Sequence, residues 1–219
     1  MKHRGSWYNE IVSAAFQLPY PATSLAVLVI STPPMFTHLF LPWLKEQTQK
    51  FQYDADTCVV LHDYDIMPNR RPKAVMGVAG YVAGASSYYQ RSDLTVDPWN
   101  KTTNIAALSL HPKYGGWFAF RGVLIFPLID ASQLERKEAV RKLTSEEAIV
   151  WALERFNFKW KDATYRDSYP VAEKYDSKQR EYFTTRPSER ISLLSKWLTE
   201  MSGGNDDAID SVMAEGLQS

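Results

Sequence analysis

The sequence predicts an α+β fold with a mainly antiparallel sheet flanked by helices. Three observations carry this. Short apolar, partly β-branched runs stand between turn residues, as at Leu25 to Ile30; two further runs, Asn104 to His111 and Gly116 to Phe126, are joined by a Gly-rich loop; and a clear amphipathic helix follows at Leu143 to Phe158. There is no internal repeat and no low-complexity segment.

Taken in order, Trp7 to Leu18 carries Ile11, Ala14, Ala15 and Leu18 at helical spacing, and Pro19 to Pro21 stop it, so a first helix is expected there. Leu25 to Ile30, bounded by Ser24 and Pro33-Pro34, reads as a buried strand. Met35 to Lys50 reads as an amphipathic helix that Pro42 kinks or splits. Cys58 to His62 is a further strand, followed by Asp63-Tyr64-Asp65 and a turn at Pro68-Asn69. Pro72 fits the first turn of a helix over Lys73 to Ala85, where its missing N–H has no partner to lose. Gly77, Gly80 and Gly84 each cost that helix about 1 kcal/mol relative to Ala. Their backbone is therefore approached closely, either by the sheet or by a ligand.

Asn104 to His111 and Gly116 to Phe126 are expected to pair as a hairpin, with Trp117, Ala119, Arg121, Val123 and Ile125 on one face of the second strand. In Leu143 to Phe158, Thr144 and Glu147 have capping-box spacing, and Ile149, Ala152, Leu153 and Phe156 form the apolar stripe. Ser177 to Phe183 and Pro187 to Leu198 complete the helices, giving one domain over residues 1–201 and a polar, flexible tail over 202–219.

Composition limits the function. The chain has 219 residues, 25 Lys+Arg against 25 Asp+Glu and 45% hydrophobic residues, which argues against a nucleic-acid binder driven by phosphate attraction, a disordered acidic chain and a polybasic membrane binder. One cysteine, Cys58, leaves no internal disulfide and no Cys-rich zinc site. No signal-type or membrane-spanning apolar run occurs, so a cytoplasmic, reducing setting is the expectation. Neither a P-loop, a dinucleotide Gly-x-Gly-x-x-Gly, a His-Glu-x-x-His nor a Gly-x-Ser-x-Gly is present, and the four histidines are scattered. Reactive atoms are then expected from a bound cofactor or cosubstrate. Three arginines suit an anion: Arg121 in an apolar row, Arg166 beside Asp162 and Asp167, and Arg190 in a first helical turn where the dipole disfavours cations. Asp162, Asp167 and Glu189 are their ordinary candidate partners, and two ligand carboxylates the alternative.

Several ordered blocks make a more specific pattern: Trp7-Tyr8-Asn9-Glu10, Pro68-Asn69-Arg70-Arg71-Pro72-Lys73, Val82-Ala83-Gly84-Ala85, Tyr88-Tyr89-Gln90-Arg91, Asp97-Pro98-Trp99, and His111-Pro112 with Gly115-Gly116-Trp117-Phe118-Ala119. Phe156-Asn157-Phe158 with Trp160, Thr164-Tyr165-Arg166-Asp167, and Tyr182-Phe183 continue it. From about Trp7 to Leu194 the chain resembles the CblC family of vitamin B12 processing proteins, cyanocobalamin reductases and alkylcobalamin dealkylases. The resemblance implies a nitroreductase-like α+β fold, a cobalamin cavity and removal of the upper axial ligand. It also implies reduced flavin (FAD or FMN, with NADP) or a thiol for decyanation and the glutathione thiol for dealkylation. It places cobalamin contacts at Asp63, Ala74, Val75, Met76, Gly77, Tyr88, Tyr89, Gln90, Ser109 and Phe120, and glutathione contacts at Arg121, Arg166 and Arg190. No side chain serves as nucleophile, so no catalytic residue is assigned, and no protein-bound metal is expected.

B12-dependent mutases supply a lower histidine from Asp-x-His-x-x-Gly, whereas Met1, Phe36, Val60 and Ser109 stand two before the histidines here, which points to base-off cobalamin. Two departures from the family pattern are Tyr81, where relatives often have a histidine, and a short stretch from Cys58 to Asp63. The resemblance further implies a ligand-promoted homodimer through the Pro68–Pro72 loop and a CblD-type adaptor partner. A non-catalytic cobalamin carrier is the competing reading.

Overall fold

The computed structural model describes residues 1–42 and 57–201. It divides into two compact units, Met1–Thr32 with Gln52–Lys174 and Pro33–Phe51 with Tyr175–Ser219. The polar tail expected over 202–219 lies outside the described residues.

The first unit is built on a four-stranded antiparallel sheet in the order β1-β2-β6-β3, with β1 at Lys2–Arg4, β2 at Ser24–Ser31, β3 at Val59–His62 and β6 at Ala119–Asp130. A two-stranded sheet pairs β4, Ser87–Tyr89, with β5, Leu108–Leu110. In β2 the alternation buries Ser24, Ala26 and Leu28, then slips so that Ser31 is buried. The cause is a bulge: Val29 pairs with Gly122 and Ile30 with Phe120, leaving Arg121 as the extra residue on β6. Ala26, Leu28, Val123 and Ile125 pack with Tyr8, Val78, Ala79 and Val82 into the main core. A second core joins Tyr89, Leu108 and Leu110 to Leu143, Ile149, Ala152 and Leu153.

Several elements differ from their expected form. The first helix is only Gly5–Asn9, with a separate 3-10 turn at Ala14–Phe16. Asn9 ends it: its side chain donates to the Leu18 carbonyl (3.0 Å) and accepts the Leu18 N–H (2.9 Å), closing the intervening chain as a loop with Ile11 exposed. The Gly-rich helix is Met76–Val82, and Pro72 is not in its first turn; Pro72 instead bridges Ile66. The expected hairpin does not form either, because β5 and β6 belong to different sheets. His111 and Gly115 exchange both backbone hydrogen bonds at 2.8 Å, and Gly116 N–H then donates to the Arg166 carbonyl at 3.0 Å, which redirects the chain before β6 begins. The clear helix runs over Glu146–Phe158 and is capped by Ser145, whose hydroxyl accepts the Ala148 N–H, and not by Thr144.

In the second unit, Pro33–Met35 is a helical turn that continues into a π-helical stretch at Phe36–Phe40. The rest of the helix expected over Met35 to Lys50 lies outside the described residues from 43 on. Asp176 caps the helix Ser177–Thr184 by accepting the Gln179 N–H at 2.7 Å. The expected final helix is a 3-10 turn, Pro187–Glu189, followed by Arg190–Met201, whose Trp197 packs with Phe36 and Leu41. Among the described residues no helix is long and apolar enough to cross a membrane.

Candidate functional site

The first unit holds a cavity of about 500 Å³. The helix Met76–Val82 and the residue before it contribute Val75 and Gly77; β4 contributes Tyr88; β5 and its approach contribute Ala106, Ala107, Leu108 and Ser109; the entry to β6 contributes Gly116, Phe118 and Phe120. Phe156, Tyr165 and Arg166 close it from the last elements of the unit. The lining is mostly apolar and aromatic, the character that takes up a broad, flat ligand.

Local chemistry fixes these walls. A Cβ on Gly77 would lie 2.7 Å from Cε2 of Tyr88 and 3.1 Å from Oγ of Ser109, so what approaches the helix here is the β4–β5 sheet. The absent side chain lets the Tyr88 ring lie against the helix backbone. Asn157 clamps Ala106, accepting its N–H at 2.8 Å and donating to its carbonyl at 3.0 Å. Phe118 and Phe120 meet edge to face at 5.0 Å, and Phe156 meets Tyr165 similarly at 5.1 Å. Burial pushes the Tyr88 and Tyr165 hydroxyls above their ordinary pKa, so both are neutral hydrogen-bonding groups at physiological pH.

Of the expected cobalamin contacts, Val75, Gly77, Tyr88, Ser109 and Phe120 line this cavity. Gln90 lines a second cavity of about 600 Å³ that shares Tyr88 and Ala107 with the first. The others lie elsewhere. Ala74 is 3% exposed within the core, and half-buried Met76 packs against it. Tyr89 is 0% exposed, and its hydroxyl accepts the N–H groups of Lys142 and Leu143 at 3.0 Å each, so its side chain is spent on holding the chain. Asp63 is exposed just beyond β3, its N–H donating to the Arg121 carbonyl at 3.1 Å.

The arginines have partners other than the acids nearby in sequence. Half-exposed Arg121, at the bulge rather than in an apolar row, donates through Nε to Ser31 Oγ at 2.9 Å. Arg166 donates to the Gly116 carbonyl and lies over the rings of Trp117 and Tyr165 at 5.6 and 5.2 Å. The acids flanking it are taken: Asp162 by Arg155, Asp167 by Lys174 and by the Trp117 indole N–H. Arg190 belongs to the second unit, where it donates to the Thr185 carbonyl at 3.1 Å and covers the Tyr182 ring at 4.9 Å; the carbonyl and the ring, not Glu189, offset its helix-start position. Tyr81 does not line the cavity and is covered by Arg136.

Phe118, Phe156 and Tyr165 are cavity residues that the expected contact set lacked. Their signal was present in the blocks Gly115 to Ala119, Phe156 to Phe158 and Thr164 to Asp167.

A chicken protein named cyanocobalamin reductase / alkylcobalamin dealkylase is 42% identical over 206 residues, covering 86% of each chain. The human protein of that name is 39% identical over 207 residues, covering 86% of this chain and 73% of its own. The solved structure of a Caenorhabditis elegans B12-trafficking protein, CblC, superposes with a TM-score of 0.79 at 34% identity, covering 90% of this chain and 89% of that one. The model of the methylmalonic aciduria and homocystinuria type C family matches residues 2–61 and 52–194. The chain belongs to that family.

Proposed function

We propose that the protein binds cobalamin and removes its upper axial ligand, by glutathione-dependent dealkylation of alkylcobalamins and by reductive decyanation of cyanocobalamin. The observation that carries this reading is the apolar cavity between Gly77, Tyr88, Phe118 and Phe120, in a chain whose relatives are named for these two reactions.

In dealkylation the glutathione thiolate attacks the alkyl carbon, a thioether forms, and the cobalt–carbon bond breaks with its electron pair passing to cobalt; the thiol proton has already gone to solvent. The cobalt is the substrate's own, so the chain contributes access, orientation and exclusion of water. Val75, Gly77, Tyr88, Ser109 and Phe120 would hold the corrin, with Asp63, Ala74, Met76, Tyr89 and Gln90 as the remaining assigned positions. A base-off corrin leaves cobalt without a strong lower donor, which favours departure of the alkyl group toward the thiolate. Arg121, Arg166 and Arg190 are the cations assigned to the two glutathione carboxylates. In decyanation, reduced flavin or a thiol would supply the electron that reduces the substrate's cobalt, and cyanide would leave as the anion with the bonding pair. An isoalloxazine ring is flat and largely apolar, and the Tyr88, Phe118 and Phe120 walls fit it by the same character that fits a corrin.

The fold reading is nitroreductase-like, supported by the antiparallel sheet flanked by helices. The homodimer reading rests on the exposed Pro68–Pro72 loop, which is preformed: Met67 N–H donates to the Arg71 carbonyl (2.7 Å), Asn69 Oδ1 accepts the Arg71 N–H (3.1 Å), and Arg70 has φ +63. A CblD-type adaptor and a cytoplasmic setting complete the reading.

The test is methylcobalamin plus glutathione under anaerobic conditions with wild type and Arg121→Ala. Formation of S-methylglutathione only with wild type, while the variant still binds cobalamin, supports the reading. Equal turnover in the variant removes the arginine assignment, and binding without turnover in wild type favours a carrier.

A further inference from the structure

Beyond the apolar cavity lies the second one, and its walls differ in kind. Tyr88 and Ala107 are common to both, so a ligand filling the first presents its edge to the second. Gln90, Arg91, Ser92 and Asp97 are the polar and charged groups of its lining. The loop carrying Asp97 is held by a single side chain. Arg91 Nε donates to Asp97 Oδ2 at 2.6 Å, one terminal nitrogen to the Thr103 carbonyl at 2.8 Å, and the other to the Trp99 and Asn100 carbonyls at 3.0 Å each.

This leaves an unequal set of groups for a ligand. Nearly all the guanidinium N–H groups are directed at the loop's own acceptors, so Arg91 has little left to offer an anion. Asp97 Oδ2 lies 2.6 Å from both Nε and a terminal nitrogen of Arg91 in an ion pair, and Oδ1 accepts the Trp99 N–H (3.0 Å), so the acceptor capacity left for a ligand is mainly on Oδ1. The Gln90 backbone carbonyl accepts the Asp93 N–H at 2.9 Å and Asp93 Oδ2 accepts the Gln90 N–H at 3.1 Å, while the Gln90 side-chain amide and the Ser92 hydroxyl belong to the lining. A neutral group that both donates and accepts suits this chamber, and a carboxylate or phosphodiester does not.

Resting on the cobalamin reading above, we propose that the second cavity is a subsite for the carboxamide groups on the corrin periphery. Arg91 is the positioning residue that fixes its wall, and Asp97 is the group that rejects a carboxylate in place of an amide. The subsite makes the enzyme selective for fully amidated corrinoids.

The test compares binding of cyanocobalamin with that of its separate b-, d- and e-monocarboxylates, each differing by one amide hydrolysed to an acid, to wild type, Asp97→Asn and Arg91→Met. At least one monocarboxylate should bind wild type roughly tenfold more weakly than cyanocobalamin, the scale of one close like-charge contact near a protein surface. Asp97→Asn should reduce that penalty to within about twofold, and Arg91→Met, which leaves the Asp97 carboxylate without its paired cation, should enlarge it. Three monocarboxylates that all bind wild type within about twofold of cyanocobalamin, or a penalty that survives Asp97→Asn undiminished, overturn the subsite alone. Failure of wild type to bind cyanocobalamin overturns the cobalamin reading with it.

Discussion

Gly77→Ala is the most informative single change, because it sets helix propensity against the cavity wall. Alanine is the better helix former by about 1 kcal/mol. Its Cβ would stand 2.7 Å from Tyr88 Cε2, about 0.7 Å inside ordinary contact, and 3.1 Å from Ser109 Oγ. Overpacking of this kind costs about 1–3 kcal/mol, so the variant should be unchanged in stability or destabilised by up to about 2 kcal/mol and remain folded. The Tyr88 ring relieves the overlap by moving away from the helix, and it borders both cavities. A displacement near 0.7 Å forfeits a quarter to a half of the dispersion attraction at each contact it opens, and it obstructs the ligand where it advances. Cobalamin affinity should fall at least tenfold, about 1.4 kcal/mol. Thermal unfolding and an absorbance titration with hydroxocobalamin measure the two quantities separately. A folded Gly77→Ala protein that binds hydroxocobalamin as wild type does would refute the placement of the corrin against this helix.

Ser145→Ala should destabilise the protein by about 1 kcal/mol in chemical denaturation, since its hydroxyl caps the Glu146–Phe158 helix, whereas Thr144→Ala should have little effect. Burial holds the His3 imidazole, 1% exposed in β1, below its ordinary pKa of 6.5, so the unfolded chain binds the proton more readily than the folded one. Stability from this group is complete above pH 6.5 and declines as pH falls from there toward the lowered folded value; the melting temperature of His3→Gln should fall less steeply than wild type over that interval. Asn157→Leu removes the clamp on Ala106 and should weaken cobalamin binding several-fold while the Met76–Val82 helix retains its amide-exchange protection.

Local pattern made the longer strands and the Glu146–Phe158 and Ser177–Thr184 helices legible, because alternation and 3.6-residue spacing are properties of neighbouring residues, whereas the three-residue strands Lys2–Arg4 and Ser87–Tyr89 were not expected. Ser24–Ser31 and Ser177–Thr184 are of this kind. What depended on distant partners was not legible. The run Asn104 to Phe126 reads as a hairpin until Gly116 docks on Arg166, fifty residues later, and the two strands part into separate sheets. The first helix ends where Asn9 finds Leu18 rather than where its apolar spacing ends. The same holds at the site. Gly77 signalled a close approach to the helix, yet nothing in Tyr88-Tyr89 says which ring faces the ligand; burial against Leu143 removes Tyr89 and leaves Tyr88. For the arginines, sequence neighbours suggested acids as partners, while the fold supplies a serine hydroxyl and two carbonyls.

The central claim is that this chain strips the upper ligand from cobalamin, and anaerobic absorbance spectroscopy tests it most directly. Methylcobalamin with glutathione, and cyanocobalamin with reduced flavin, should each lose the spectrum of the starting corrinoid and gain that of reduced cobalamin only when the protein is present. Spectra that show binding yet stay unchanged with both reductants would contradict the account.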